Sequence, residues 1–159
     1  MNIVLSDERD DPLSTGPTGD DGLVSLARLV LLGEAYPEAT EVAVTLVDRG
    51  RIAELNTEHM GESRPTDVLS FPIEDLVAGE APDWSEDGPP LLIGDVVICP
   101  DVVAERAPEH GVGVDDEMAL MVVHGLLHLL GYDHQVDADA ELMEARERRY
   151  LEAVGRVRR

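Results

Sequence analysis

Residues 124–134 read His124-Gly125-Leu126-Leu127-His128-Leu129-Leu130-Gly131-Tyr132-Asp133-His134, three histidines and two glycines in one apolar stretch. A helix places residues four apart on one face, one turn above the other, so His124 and His128 present two imidazoles to a common point. Gly131 stands where such a helix needs a residue tolerant of positive φ in order to stop, and the turn it permits carries His134 back toward that point. The stretch therefore predicts a helix over 115–130 and, at its end, three neutral nitrogens facing one metal ion. A single histidine on an apolar helix is more simply a core residue. Three at this spacing would each need a separate hydrogen-bond partner if buried, and one shared metal meets that need. The spacing is that of the H-E-x-x-H-x-x-G-x-x-H zinc motif. Position 125 departs from it: Gly125 stands where the proteases carry their general-base glutamate, which disfavours a protease of that type.

Working outward, Asp137 to Ala153 reads as a final amphipathic helix with Leu142, Ala145, Tyr150 and Leu151 toward its inner face, and Asp101 to Glu109 as a short helix before the histidine helix. Leu91 to Cys99 is an apolar run interrupted by Gly94 and Asp95 and closed by Pro100, the pattern of a largely buried strand. Asp95, if buried there, must be paired or hydrogen-bonded, and is better read as an organiser than as a base. Glu74 to Pro90, acidic and rich in Pro and Gly, predicts an exposed loop pinned to the body by Trp84. Asp67 to Phe71 and Glu41 to Val47 read as strands, with Asp48 capping a helix over Ile52 to His59. Leu23, Leu26, Ala27, Val30 and Leu31 recur at helical spacing, with Pro37 marking the end of that helix. Ile3 to Leu5 is a first short strand, followed by a Gly/Pro/Asp/Thr-rich loop through Asp21. About four strands and about five helices predict an α+β (mixed α/β) fold in one domain over 1–159: a single small sheet flanked by helices, with the metal site at the end of a helix.

The chain carries 34 acidic against 12 basic residues, a net charge of −22, which repels nucleic acid at long range. The positive charge is uneven. Every basic residue is arginine, and Arg146, Arg148, Arg149, Arg156, Arg158 and Arg159 crowd into the end of the chain, opposed there only by Glu147 and Glu152. Two readings stand: a solvated helix end suited to its dipole, or a basic patch against a phosphate backbone. Cys99, the single cysteine, excludes an internal disulfide and a cysteine-cluster metal site, and its apolar neighbours predict a buried strand residue without a disulfide-linked partner. Met1 to Asp11 has neither a basic n-region nor a long apolar stretch, and the uncharged run Met118 to Tyr132 falls short of a membrane span, so a cytoplasmic protein without membrane attachment is expected.

Four blocks together resemble the YbeY endoribonucleases, or rRNA maturation factors: Leu55-Asn56; P-T-D-V-L-S-F-P from Pro65 to Pro72; G-D-V-V-I-C from Gly94 to Cys99; and the histidine stretch itself. They lie in the family's order and span roughly the C-terminal two-thirds of the chain. The resemblance implies a metal-dependent hydrolase, usually assigned zinc, that cuts single-stranded RNA. It implies a role in maturing the 3′ end of small-subunit rRNA and in ribosome quality control, with that rRNA and the ribosome or its proteins as partners. His124, His128 and His134 become the ligands of one Zn²⁺ per chain. Where the family commonly places an arginine thought to face the substrate, this chain has Met60, which holds no phosphate. Arg64, four residues on, is the candidate to take its place.

Within the second block, Thr66 and Asp67 are read as structural rather than catalytic. Ser70 is a candidate substrate contact. Asp133, beside a ligand, is a candidate to orient an imidazole through its other nitrogen. No residue stands out as general acid or base. Three imidazoles leave a fourth position open for water or a substrate oxygen, and an ion there neutralises phosphate charge while the ribose 2′-hydroxyl attacks. Two rivals share the ligand set: a zinc peptidase or amidohydrolase, and a non-catalytic ribosome assembly factor whose zinc is structural and takes a fourth protein ligand.

Overall fold

A computed structural model of the chain describes residues 1–10 and 22–159; most of the loop expected through Asp21 lies outside the described residues. Four strands form one sheet in the order β1-β2-β4-β3, where β1 is Asn2–Asp7, β2 Thr40–Leu46, β3 Val68–Pro72 and β4 Leu91–Ile98. β1, β2 and β4 run parallel and β3 pairs antiparallel with β4. Among the described residues there are five α-helices: α1 Leu23–Gly33, α2 Arg49–Met60, α3 Pro100–Arg106, α4 Val114–Leu129 and α5 Asp137–Ala153, with a 3₁₀ turn at Pro108–His110. The expected mixed architecture is thus present, with the histidine-bearing helix in its core.

β2 alternates strictly, burying Thr40, Val42, Val44 and Leu46, as a strand with one well-covered face must. That face receives α1, α4 and α5: Leu26, Val30, Leu31, Leu126, Leu127, Leu129, Met143 and Leu151 pack there with Leu91, Ile93, Val96 and Ile98 of β4. The opposite face carries a smaller cluster in which Ile52 of α2 and Val102 of α3 meet Leu69, Val97 and Cys99. Alternation along β4 breaks at its centre. Val42 pairs with Gly94 where Glu41 pairs with Leu92, so one residue of β4 is extra, and Gly94 takes φ 134°, a backbone that only glycine adopts without strain. A Cβ on Gly94 would also lie 2.2 Å from the carbonyl oxygen of Phe71. Asp95 consequently faces outward and is exposed, so the pairing that a buried carboxylate would need does not arise.

Several local expectations are corrected by specific contacts. α1 stops at Gly33, well before Pro37, because Ala35 takes φ 63° and the amide of Tyr36 closes back on the carbonyl of Leu31, a Schellman-type end. Asp48 sits at the N-cap of α2 but makes no side-chain capping bond; its carboxylate instead accepts the amide N–H of Asp10 at 3.1 Å. On α5 the inner stripe is Met143, Glu147, Tyr150 and Leu151, whereas Leu142 and Ala145 are exposed. The helix is rotated so that a carboxylate points inward. The acidic loop before β4 is anchored as expected, with Trp84 against the core and its indole N–H donating to the carbonyl of Pro89 at 2.7 Å.

Candidate metal centre

α4 is buried along most of its length, and acidic Asp115, Asp116 and Glu117 occupy its first turn, where the helix dipole favours negative charge. His124 and His128 lie on the stripe that looks toward β3 rather than into the core. Past Leu130, Gly131 takes φ 98° and the chain turns; a Cβ there would lie 2.3 Å from the carbonyl oxygen of Leu76. That turn brings His134 over the other two rings. The three residues offer nitrogens that all lie within 4.8 Å of one another, with ring centroids 4.5, 5.4 and 4.9 Å apart.

The tautomers follow from the partners. Nδ1 of His128 lies 2.9 Å from the carbonyl oxygen of Tyr132, which only accepts, so Nδ1 carries the proton and Nε2 turns a lone pair into the cluster. Nε2 of His124 is 3.1 Å from it. Nδ1 of His124 faces Oε1 of Glu147 at 3.5 Å, so its Nε2 is likewise the nitrogen left for a ligand. Burial, reinforced by the neighbouring His124 and His134, lowers the pKa of His128 to about 4, so the ring stays neutral at physiological pH. Three imidazoles whose nitrogens converge form a donor set that fits a divalent transition metal.

A test of that environment follows in the metal-free protein. An unfolded histidine takes up its proton near pH 6.5, whereas folded His128 refuses it until about pH 4. Between these values the unfolded state binds more protons, so stability present above pH 6.5 is lost on acidification toward pH 4. Thermal midpoints measured from pH 7 to pH 4.5 should fall less steeply in His128→Asn than in the wild type; equal slopes would contradict the assignment.

The histidines open onto a pocket of about 380 Å³ whose other wall is β3, lined by Met60, Asp67, Val68, Ser70 and Pro72 among others. Ser70 is therefore brought to the site, with its hydroxyl donating to the carbonyl of Gly125 at 2.9 Å and so tying β3 to α4. Asp67 lines the pocket too, paired with Arg106 at 3.2 Å. Arg64 does not line it: its side chain is 77% exposed and its Nε lies 3.1 Å from Glu62. Asp133 is exposed and accepts the backbone amide N–H of His134 at 2.7 Å, while Nδ1 of His128 and Nδ1 of His124 find their partners in the Tyr132 carbonyl and Glu147.

Gly125 faces Val96 of β4, where a Cβ would sit 2.5 Å from Cγ1 and 3.4 Å from Ser70 Oγ, so a side chain at position 125 would press into the sheet. Of the crowded arginines, Arg148 and Arg149 are exposed on the helix, as a solvated end has them, with Arg148 3.8 Å from Glu144, while the other four pair with carboxylates elsewhere in the fold. Arg146 faces Glu34, Arg156 faces Asp116, and Arg158 and Arg159 reach Glu147 and Glu117, both only 2% exposed. The sequence reading missed Glu147 and the Tyr132 carbonyl as partners of the histidines; Glu147 becomes one only through the packing of α5 on α4, and no local signal points to it.

Fold and site together define a small α+β protein with a helix-borne three-histidine centre beside the edge strand of its sheet. The family model of Endoribonuclease YbeY matches residues 21–155. Endoribonuclease YbeY of Micrococcus luteus is 44% identical over 138 residues, covering 86% of this chain and 85% of that protein. The protein of that name from Mycolicibacterium gilvum is 40% identical over 152 residues, covering 96% and 82%. The solution structure of TM1509 from Thermotoga maritima superposes with a TM-score of 0.61 at 31% identity, covering 96% of this chain and 88% of that one. This chain belongs to the YbeY endoribonuclease family.

Proposed function

We propose that this chain is a metal-dependent endoribonuclease that cuts single-stranded RNA, matures the 3′ end of small-subunit rRNA and takes part in ribosome quality control, with the ribosome or its proteins as partners. The observation that carries this reading is the convergence of the His124, His128 and His134 nitrogens at the foot of an open pocket. One Zn²⁺ per chain is the proposed occupant; when bound, it supplies Lewis-acid neutralisation of a phosphoryl oxygen. His128 contributes a lone pair fixed by the Tyr132 carbonyl, and His124 one fixed by Glu147. Met60, which lines the pocket, brings no charge to a phosphate, so the electrostatic load falls on the histidine centre.

Of the two side chains proposed to touch substrate, Ser70 is the better placed, at the pocket wall; Arg64 would act on nucleotides outside it. Asp133 is proposed to hold the turn that presents His134. A peptidase finds no support, since the protease base position faces β4. No helix among the described residues is long and apolar enough to cross a membrane, and the cytoplasm is the proposed site of action.

The test is cleavage of an end-labelled single-stranded RNA and of the same sequence as a duplex. The expected result is cutting of the single strand only, loss of cutting with a zinc chelator, and its return on adding Zn²⁺. Cutting that persists undiminished in chelator, or no cutting of free RNA or of supplied ribosomes, would contradict the proposal.

A further inference from the structure

Glu147 is a buried carboxylate between two partners. Its Oε1 lies 3.5 Å from Nδ1 of His124 on α4, and its Oε2 lies 3.5 Å from Nε of Arg158 in the segment following α5. The Arg158 side chain is only 15% exposed; its Nη2 lies 3.7 Å from Glu144 and its Nη1 donates to the carbonyl of Arg159 at 2.6 Å, while its Nε is buried with no hydrogen-bond partner, so at that atom the electrostatic contact with Glu147 is what offsets burial. Arg159 fixes the same segment to α4 by donating to Glu117 at 2.8 Å, two turns before His124 on the same helix stripe. Residues 156–159 thus fold back along α4 and α5 and end against the histidine centre, where His124, Glu147 and Arg158 line a common cavity of about 120 Å³.

We propose that Arg158 is a positioning residue that acts through Glu147: it holds the carboxylate against Nδ1 of His124 and thereby aims Nε2 of that histidine at the metal. A buried carboxylate with one oxygen on an imidazole N–H fixes ring orientation and tautomer, and losing such an outer partner typically weakens metal binding by about 10–100-fold. The cation on the second oxygen keeps the carboxylate from turning away. Arg158, one of the arginines that as a sequence read either as a solvated helix end or as a surface for phosphate, serves on this account to pre-organise a ligand. The inference rests on the three-histidine metal site proposed above.

The test is zinc affinity of the full chain, measured by competition with a chromophoric chelator, for wild type, Glu147→Gln, Arg158→Met and the double variant. Glu147→Gln is expected to raise the zinc Kd at least tenfold and Arg158→Met several-fold. In the Glu147→Gln background, Arg158→Met should add less than twofold, because its route to the metal is already cut. The ¹⁵N spectrum of the metal-free protein supplies a readout that a merely structural role would not move: the proton of His124 resides on Nδ1 in wild type and distributes over both nitrogens in Glu147→Gln. Should Arg158→Met fail to fold, Arg158→Lys carries the same cycle and recovers part of the affinity. Unchanged affinity in Arg158→Met, or an equal loss in both backgrounds, would overturn the inference. A wild type that binds no zinc would instead remove the metal site itself.

Discussion

Gly125→Glu is expected to destroy the fold rather than to create a protease, although it restores the letter of the protease motif. A Cβ at this position lies 2.5 Å from Val96 Cγ1 and 3.2 Å from Cγ2, and Val96 is fully buried in β4. Its branched side chain has few rotamers in which to retreat. Even alanine forces α4 off the sheet: overpacking costs up to about 3 kcal/mol, against a gain of about 1 kcal/mol for replacing a helical glycine, leaving Gly125→Ala less stable by about 2 kcal/mol. Glutamate adds a buried, unpaired charge worth several kcal/mol more, comparable to the roughly 5–15 kcal/mol that hold a domain together. Soluble yield and thermal unfolding followed by circular dichroism check both variants. A folded Gly125→Glu protein melting with the wild type would contradict the helix–sheet packing described here.

The second large effect is expected at Glu34, a buried carboxylate that accepts the hydroxyls of both Tyr132 and Tyr150 and faces Arg146 at 3.7 Å. Burial and then the bond to Glu34 push the Tyr132 phenol up to about 12 and raise that of Tyr150 as well, so both hydroxyls remain donors at any ordinary pH. Glu34→Ala leaves two buried donors without an acceptor, each costing about 1–3 kcal/mol, and is expected to lower stability by about 3 kcal/mol. Urea unfolding reads this as a lower midpoint at constant slope. Introduced into Tyr150→Phe, the same change should cost less, since one of the two orphaned donors is already gone. Because the carbonyl of Tyr132 orients His128, Glu34→Ala should also weaken metal binding; full retention of metal would disconnect this network from the site.

The histidine centre was legible because its determinants are local. A spacing of four on a helix and a glycine that must take positive φ put three rings together whatever the rest of the fold does, and Gly131 does take φ 98°. The strands were equally legible where alternation is strict, as in β2. What escaped depends on partners far along the chain. Glu147 acquires its meaning from His124 and Arg158, and Glu34 from Tyr132 and Tyr150, 98 and 116 residues away. Nothing local at 142–151 distinguishes a stripe through Leu142 and Ala145 from one through Met143 and Glu147. The choice is made by α4, which offers His124 to a carboxylate and close packing to Met143. The outward turn of Asp95 likewise follows from an extra residue in β4 that appears only when the register with β2 is laid out. Gly125 was correctly read as lacking a base, but its reason, contact with Val96, is tertiary.

The central claim is that the three histidines hold a metal on which RNA cleavage depends. It is tested most directly by elemental analysis and single-stranded RNA cleavage on the same preparations of wild type and His128→Ala. The account predicts one zinc per chain and cleavage in the wild type, and the loss of both together in the variant while its secondary structure is retained. A His128→Ala protein that has lost the metal yet still cuts RNA at the wild-type rate would contradict it.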